Sequence, residues 1–561
     1  MKKYNFNKQI SRRRISFFKA FLFTAFLFFI AITTSNLYDA VDNFTVSLVV
    51  NGLFSSTDNY CIYLHPFLCW FIGFLARLLP TVDIFVLLGR ILIFAGVNWL
   101  CYLVFESRKS WHTRAIELLL IAFACTILNL WNTNYTVQAA FFVMIGIIFL
   151  ELSMKKNEIS FCIIGTIFVC FGAMWRIQAA MLFIPFALLE IFTTMIFEEK
   201  NKVIFLKKLW VKCGICFLGL GVLVVSNYFV KYSQTYIESI EYNTARTVIN
   251  DYPTKSWDEI KDNAISVNEK EYNAVRSWWL ADTENINVDS LQEMAMLGET
   301  TGFPISFTGA ILTIKSMMLF ILRSSKMFWI LLGIVFLLFL RIVVVPCPWY
   351  RKAEGLLACV GAIVIIFYFT IKGRAPLRIW QSVILAVISI LIIITVNACE
   401  ESKNAVMIDN VMGIILCVAL VYNIFSVDFQ GLQFAINSKT GTDETCYEET
   451  FKEDSLYLWE SWHSNVTRYF MNQGKLPSEE FLKHNISVGD WTYGQVYYIE
   501  YLKELNAENP AEALLKRANT YLVSSDCTMA LEYLQEHYDE NIVAEKIGEI
   551  KGTSIWCFKM E

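Results

Sequence analysis

Long apolar runs separated by short polar turns fill the chain as far as about residue 426, and the pattern breaks down only beyond it. Runs of 17–22 residues are long enough to cross a hydrocarbon layer as helices. Read this way, the sequence predicts eleven spans, at 16–35, 84–105, 115–131, 135–153, 159–175, 178–197, about 210–232, 327–345, 355–371, 376–397 and 407–426. Three further apolar stretches, 42–54, 65–80 and 305–324, are short or amphipathic and are expected to lie in the membrane interface. The second of them has a span as its alternative.

Charge orients the helices. The N-terminal MKKYNFNKQISRRR is basic, while residues 36–76 contain no Lys or Arg. A cytoplasmic N-terminus and an external first loop follow from the positive-inside rule. The inward turns MKKNE and EEKNKVIFLKKLWVK carry the positive charge that this orientation requires. External loops are then expected at 36–83 and 233–325, and the end of the chain outside. The apolar stretch after the basic start is longer than a signal-peptide core, and no small-residue cleavage site follows it.

Beyond residue 427 charged residues return and turn signals appear, as in GDWTYG, NP and SSD. Helical patterns (EYLKEL, AEALLKRA, MALEYLQEHY) alternate with the short apolar strands ANTYLVSS and TSIWCFKM. The expected architecture is an α-helical polytopic membrane domain, 1–426, followed by a small extracytoplasmic α/β domain, 427–561. No internal repeat is visible.

Composition agrees with this pattern: of 561 residues, 56% are hydrophobic and 17% charged, with a mean hydropathy of +0.47. The fifteen Cys show no paired spacing apart from Cys213 and Cys216, which lie in an apolar helix and read as packing residues. Five His and no HExxH leave no metal signature. No nucleic-acid partner is expected.

Candidate chemistry lies on the external face. Asp39 and Asp42 open the first loop, and ionised groups at a membrane surface need a reason to be there. For Asp42, helix capping is the plain alternative. Arg176, in the turn GAMWRIQ, and Lys372, Arg374 and Arg378, in KGRAPLR, break the positive-inside pattern and suggest an external anion. Snorkelling or local pairing is the alternative for Arg176 and Arg374. In the long loop, Arg246, Asp251, Trp278, Trp279 and Asp282 are expected to shape a groove for an acceptor, although the Trp pair suits an interfacial anchor equally well.

The order of these features resembles the GT-C membrane glycosyltransferases, such as the protein O-mannosyltransferases and the aminoarabinose transferase. A first span is followed by an acid opening a helix at Asp42, a second short helix with His65 and Pro66 at its start, and an inward span. The turns holding Trp175-Arg176 and KGRAPLR match places where that family has phosphate-contacting basic residues. The resemblance implies transfer of a sugar from a polyprenyl-phosphate donor to a bacterial cell-surface glycan or lipid acceptor. Asp42 would be the base, supported or replaced by Asp39, and Arg176, Lys372, Arg374 and Arg378 would hold the phosphate. The family's second acid is here Asn43, so a divalent metal held by two acids is not supported and no cofactor is assigned. A polymerase or ligase acting on lipid-linked repeats is the runner-up, and a lipid-linked-sugar flippase is the reading from a different class.

Overall fold

The computed structural model describes residues 2–34, 38, 41–107, 110–398, 403–426, 454–460, 462–473, 476–550 and 552–560. It is mostly helical, with a mixed sheet confined to the C-terminal part. Helices occupy all eleven positions expected from the apolar runs. Among the described residues, however, seven are long and apolar enough to cross a membrane, or eight if the bent pair Phe307–Arg323 and Phe328–Val344 is one span. The expected count of eleven is thereby reduced. Trp111–Ile127 and Ile159–Trp175 have 17 residues each, about 26 Å at 1.5 Å per residue, short of a hydrocarbon core of roughly 30 Å.

The helix Tyr135–Lys156 is the centre of the bundle. Most of its residues are buried, and it packs against Ile159–Trp175 and Leu377–Ala398. Glycines on facing turns permit the first contact: a Cβ at Gly165 would come within 2.8 Å of the Gly146 carbonyl oxygen.

Two short helices depart from expectation in different ways. Val41–Val50 does not lay an apolar face on lipid, because every residue from Asn43 to Val50 is buried in protein. Its VSLVV run is enclosed on all sides, with Asp83 as its anchor: the Tyr38 hydroxyl donates to that carboxylate, Ser47 Oγ does so at 2.7 Å and Asn51 Nδ2 at 3.1 Å. Pro66–Leu78 has 13 residues and is too short to span. Phe307–Arg323, by contrast, keeps the amphipathic character read from the sequence. It buries Gly309 and Thr313, exposes Phe307, Ile311, Ile314, Met318 and Leu322, and turns through 109° into the following helix.

The C-terminal sheet has the order β2-β1-β3-β5-β4, formed by β1 (Leu456–Trp459), β2 (Asn485–Ser487), β3 (Thr520–Val523), β4 (Ile542–Ile550) and β5 (Thr553–Met560). β1 runs parallel to both β2 and β3, while β5 is antiparallel to β3 and β4. β3 and β5 are the two strands expected from sequence. β1, β2 and β4 were not, the first two because they are only four and three residues long. Residues 427–453 of the expected domain lie outside the described residues.

The long loop folds with this sheet. Leu280 N donates to Val488 O at 2.8 Å, and Ala511 N donates to Ala281 O at 3.0 Å. His537 Nε2 lies 3.2 Å from Glu271 Oε1, and Lys270 pairs with Glu532. The resulting lobe sits on the first loop, where Ser55 and Thr57 donate to Glu500 at 2.5 and 2.7 Å and Phe54 lies among Tyr497, Tyr498 and Tyr501.

Candidate functional site at the lobe and bundle junction

Four helix ends meet beneath the lobe. Asp42 is in the first turn of Val41–Val50, Tyr135 opens Tyr135–Lys156, Arg176 ends Ile159–Trp175, and Arg378 is the second residue of Leu377–Ala398. Arg176 is held in place by its neighbour. The fully buried Trp175 stacks on Phe85 at 5.1 Å and donates its indole N–H to Gln138 Oε1 at 3.2 Å. The Arg176 guanidinium therefore lies over the rings of Tyr135, at 4.6 Å, and Tyr63, at 5.6 Å.

The expected phosphate-binding residues divide into two groups. Arg378 Nη1 lies 3.2 Å from Asp42 Oδ2, and Arg374 Nη1 lies 2.5 Å from Asp251 Oδ2. Both arginines are therefore engaged by carboxylates, the pairing alternative read from sequence for Arg374. Their turn is fixed by Gly373, at φ +88, where a Cβ would strike the Pro253 ring. Lys372 ends the preceding helix. Arg176 has no carboxylate partner among the described residues, and its buried Nη1 has no hydrogen-bond acceptor. Lys231, at the end of Lys202–Lys231, is near enough to repel Arg176 and likewise has no carboxylate within 4.0 Å among the described residues.

A second unpaired cation stands on the lobe side. Arg246 is 1% exposed, with Nε and Nη1 lacking any acceptor, while Nη2 is fixed by Asn243 Oδ1 at 2.8 Å and Thr247 Oγ1 at 3.1 Å. Its guanidinium lies 5.0 Å from the Trp278 ring. Tyr63 stands between the two arginines: its hydroxyl is 3.5 Å from Asn243 Oδ1 and its ring meets Trp491 edge-on at 4.9 Å. The Trp491 indole N–H, too, is buried without an acceptor. Burial pushes the Tyr63 phenol well above its usual range, so it remains a neutral donor. Asp490 is enclosed beside His463, Oδ2 to Nε2 3.6 Å, and burial raises its carboxyl despite the His463 ring. Asp42 is within electrostatic reach of both Tyr135 and Asp490, which places it between the bundle side and the lobe side of the junction.

Buried polar groups are almost always hydrogen-bonded, so several unpaired donors at one junction call for an acceptor supplied from elsewhere. Arg176 Nη1, Arg246 Nε and Nη1, and Trp491 Nε1 form such a set, and anionic groups are suited to satisfy them. Among the described residues no group of three or more His, Cys, Asp or Glu is arranged to hold a metal, and Asn43 is buried beside Asp42.

Other expected site residues have different positions. His65 caps Pro66–Leu78: Nδ1 accepts the Phe67 N–H at 3.2 Å, so the ring proton is on Nε2 and faces Leu223 O at 3.1 Å. Burial lowers its pKa and keeps it neutral. Trp279 and Asp282 are fully buried and do not line a groove. Asp282 joins loop to sheet domain, accepting from Asn509 at 3.0 Å and Tyr533 at 3.1 Å. Trp278, half-buried, remains near the surface. Asp39 lies outside the described residues.

Sequence reading missed Tyr63, Tyr135, Lys231, His463, Asp490 and Trp491. Lys231 carried the signal that singled out Arg176, an isolated cation at the end of a span that the charge pattern expects to face outward. Asp490 and Trp491 were visible only as the turn GDWTYG.

Fold and site together define a polytopic helical protein with an anion-suited junction under an α/β lobe. The chain matches no protein-family model, no curated protein and no solved structure.

Proposed function

We propose that the protein is a membrane glycosyltransferase that moves a sugar from a polyprenyl-phosphate donor to an extracytoplasmic glycan or lipid acceptor. The observation that carries this reading is the set of buried donors without acceptors beside Asp42, at one end of the helical bundle. Arg176 and Lys231 take the donor phosphate. The acceptor hydroxyl attacks the sugar C1, the C1–O bond to phosphate breaks, and its electron pair leaves with the phosphate, whose charge the two cations balance. Asp42 orients the acceptor hydroxyl and takes its proton. Because the donor arrives activated, no nucleotide is needed.

In this reading the lipid chain is taken by an apolar cavity at the KGRAP turn. A cavity of about 280 Å³ lies between the amphipathic Phe307–Arg323 and the KGRAP turn, walled by Pro253, Phe303, Met317, Phe320 and Trp380. In this reading the lobe is extracytoplasmic and the opposite bundle end cytoplasmic.

Arg246 belongs to the long loop, which favours a second reading in which the acceptor or donor is a lipid-linked oligosaccharide repeat and the enzyme is a polymerase or ligase. One experiment tests the shared claim and separates the two. Protein in lipid nanodiscs is given polyprenyl phosphate without sugar, and its thermal unfolding is followed. Stabilisation in the parent and its loss in Arg176→Ala is the expected result; equal response of both proteins removes the phosphate site. Mass analysis of surface glycans from cells with and without the chain then reports one missing sugar for transfer, or missing polymer for polymerisation.

A further inference from the structure

We infer that Arg246 and Trp278 form a separate subsite for an acidic sugar, so that the acceptor carries a carboxylate or phosphate on its sugar unit. This rests on the transferase reading for the word acceptor, and on geometry for the subsite. Arg246 and Arg176 lie on different sides of Tyr63. Arg176 shares its electrostatic neighbourhood with Tyr135, Cys61 and Lys231, whereas Arg246 acts on Tyr63, Tyr242 and Asp490. One phosphate bound between Tyr135 and Lys231 therefore leaves Arg246 unanswered.

A guanidinium removed from water is costly unless an anion accompanies it. No carboxylate of the described residues lies within 4.0 Å of Arg246. Asp490 is within electrostatic reach of Arg246 but lies beside His463, Oδ2 to Nε2 3.6 Å, rather than pairing with the guanidinium. The guanidinium is also held ready: Asn243 and Thr247 fix Nη2, while Nε and Nη1 are each left to donate singly to an oxyanion. The indole of Trp278 lies against this group. A cation–π contact is a weak substitute for an ion pair and yields to one.

The backbone at Trp278 supplies the independent observation. Its φ is +63, in the left-handed region that a bulky residue avoids. The conformation is imposed by packing, since the Trp278 carbonyl is pressed onto Gly489, where any Cβ would collide with it. Strain of this kind persists where surrounding structure dictates it, and it concentrates at ligand sites. Here it sets a half-exposed indole beside a buried arginine, a pairing suited to an acidic sugar: the ring takes the apolar sugar face and the unpaired N–H groups take the anion.

The test uses full-length protein in nanodiscs and follows intrinsic Trp fluorescence on titration with three oligomers of similar length: a uronic-acid oligosaccharide, a phosphate-bearing glycan and a neutral glucan. The parent should bind one or both acidic oligomers at least tenfold more tightly than the glucan; the tighter acidic oligomer identifies the anion. Arg246→Lys keeps the charge and loses the fork, and should weaken acidic binding about tenfold or more while leaving the response to polyprenyl phosphate intact. Trp278→Leu should weaken acidic and neutral oligomers alike and likewise spare polyprenyl phosphate. That retained response also shows that each variant is folded. Equal binding of acidic and neutral oligomers by the parent overturns the inference. So does an Arg246→Lys protein that loses polyprenyl phosphate with the sugar, which would make Arg246 part of the donor site or of the fold. If acidic oligomers bind as expected but no transfer occurs with any donor, the transferase reading fails and the subsite stands.

Discussion

The two ends of the bundle treat buried arginine in opposite ways. At the end away from the lobe, Arg351 is fully enclosed and every nitrogen is engaged: Nε by Glu198 at 2.7 Å, Nη1 by Glu190 and Glu354 at 2.6 Å each, and Nη2 by Thr194 at 2.9 Å. Arg341 there holds both oxygens of Asp409, at 2.7 and 3.3 Å, with Nη1 left without an acceptor. At the lobe end, about 30 Å away along Tyr135–Lys156, the half-buried Arg176 and the buried Arg246 have no carboxylate within 4.0 Å among the described residues, and each carries nitrogens that nothing accepts. A charge that the protein satisfies for itself belongs to architecture, and one that it leaves open awaits a ligand. Burial alone does not separate the two cases; pairing does.

The largest expected effect that tests this contrast is at Asp42. Asp42 is the second residue of its helix and not its cap, and Asn keeps its size and an oxygen for Arg378, so Asp42→Asn should fold normally while losing roughly 10²–10⁴ in transfer rate. Measured with a defined lipid-linked donor, near-parental transfer would leave Asp42 only a partner for Arg378. At the other end, Arg351→Met strands three carboxylates without their cation. Removing one member of a buried ion network typically costs about 3–5 kcal/mol, so lower thermal stability is expected, with the remaining folded protein as active per molecule as the parent. Loss of activity at unchanged stability would reverse the roles assigned to the two ends.

These contrasts were only partly legible in the sequence. Span positions were, because a run such as IFVLLGRILIFAGVNWLCYLVF carries its own helical and apolar signal. Arg176 was singled out as an isolated cation where the charge rule expects none, and the structure leaves its Nη1 without an acceptor. The fate of Arg378 was not: its partner Asp42 is 336 residues away in the chain, and no local pattern reports such a contact. Val41–Val50 was misplaced for the same reason. Its apolar run reads alike whether lipid or protein covers it, and the cover comes from the neighbouring helices Pro66–Leu78 and Ile84–Glu106 and from residues 463–473 of the C-terminal domain.

A smaller effect sharpens the ligand side of the comparison. Arg176→Lys preserves charge over Tyr135 but removes the planar fork. The apparent affinity for a polyprenyl-phosphate donor should fall about tenfold with thermal stability unchanged, read as a shift in KM at constant expression. A similar loss in Arg374→Lys would show that the Asp251 pair opens to the phosphate; the structure predicts that this variant changes donor affinity less, because Arg374 already has its carboxylate.

The smallest effect concerns the attachment of the lobe that covers the site. His537, on the sheet domain, meets Glu271 of the long loop at 3.2 Å, with both side chains about nine-tenths enclosed. Burial opposes charging of the ring, but the hydrogen bond and charge of Glu271 outweigh it, so the His537 pKa is raised. A His raised in the folded state contributes stability that is complete below its unfolded value, about 6.5, and is lost as pH rises through the folded value. The lobe should therefore loosen on going from pH 6 to pH 9 by on the order of 1 kcal/mol, visible as faster proteolysis between loop and sheet domain. His537→Gln cannot titrate, so its cleavage should change less over that interval. If His537→Gln keeps the full pH dependence, another group carries it, and the His537–Glu271 contact is then packing without a titrating role.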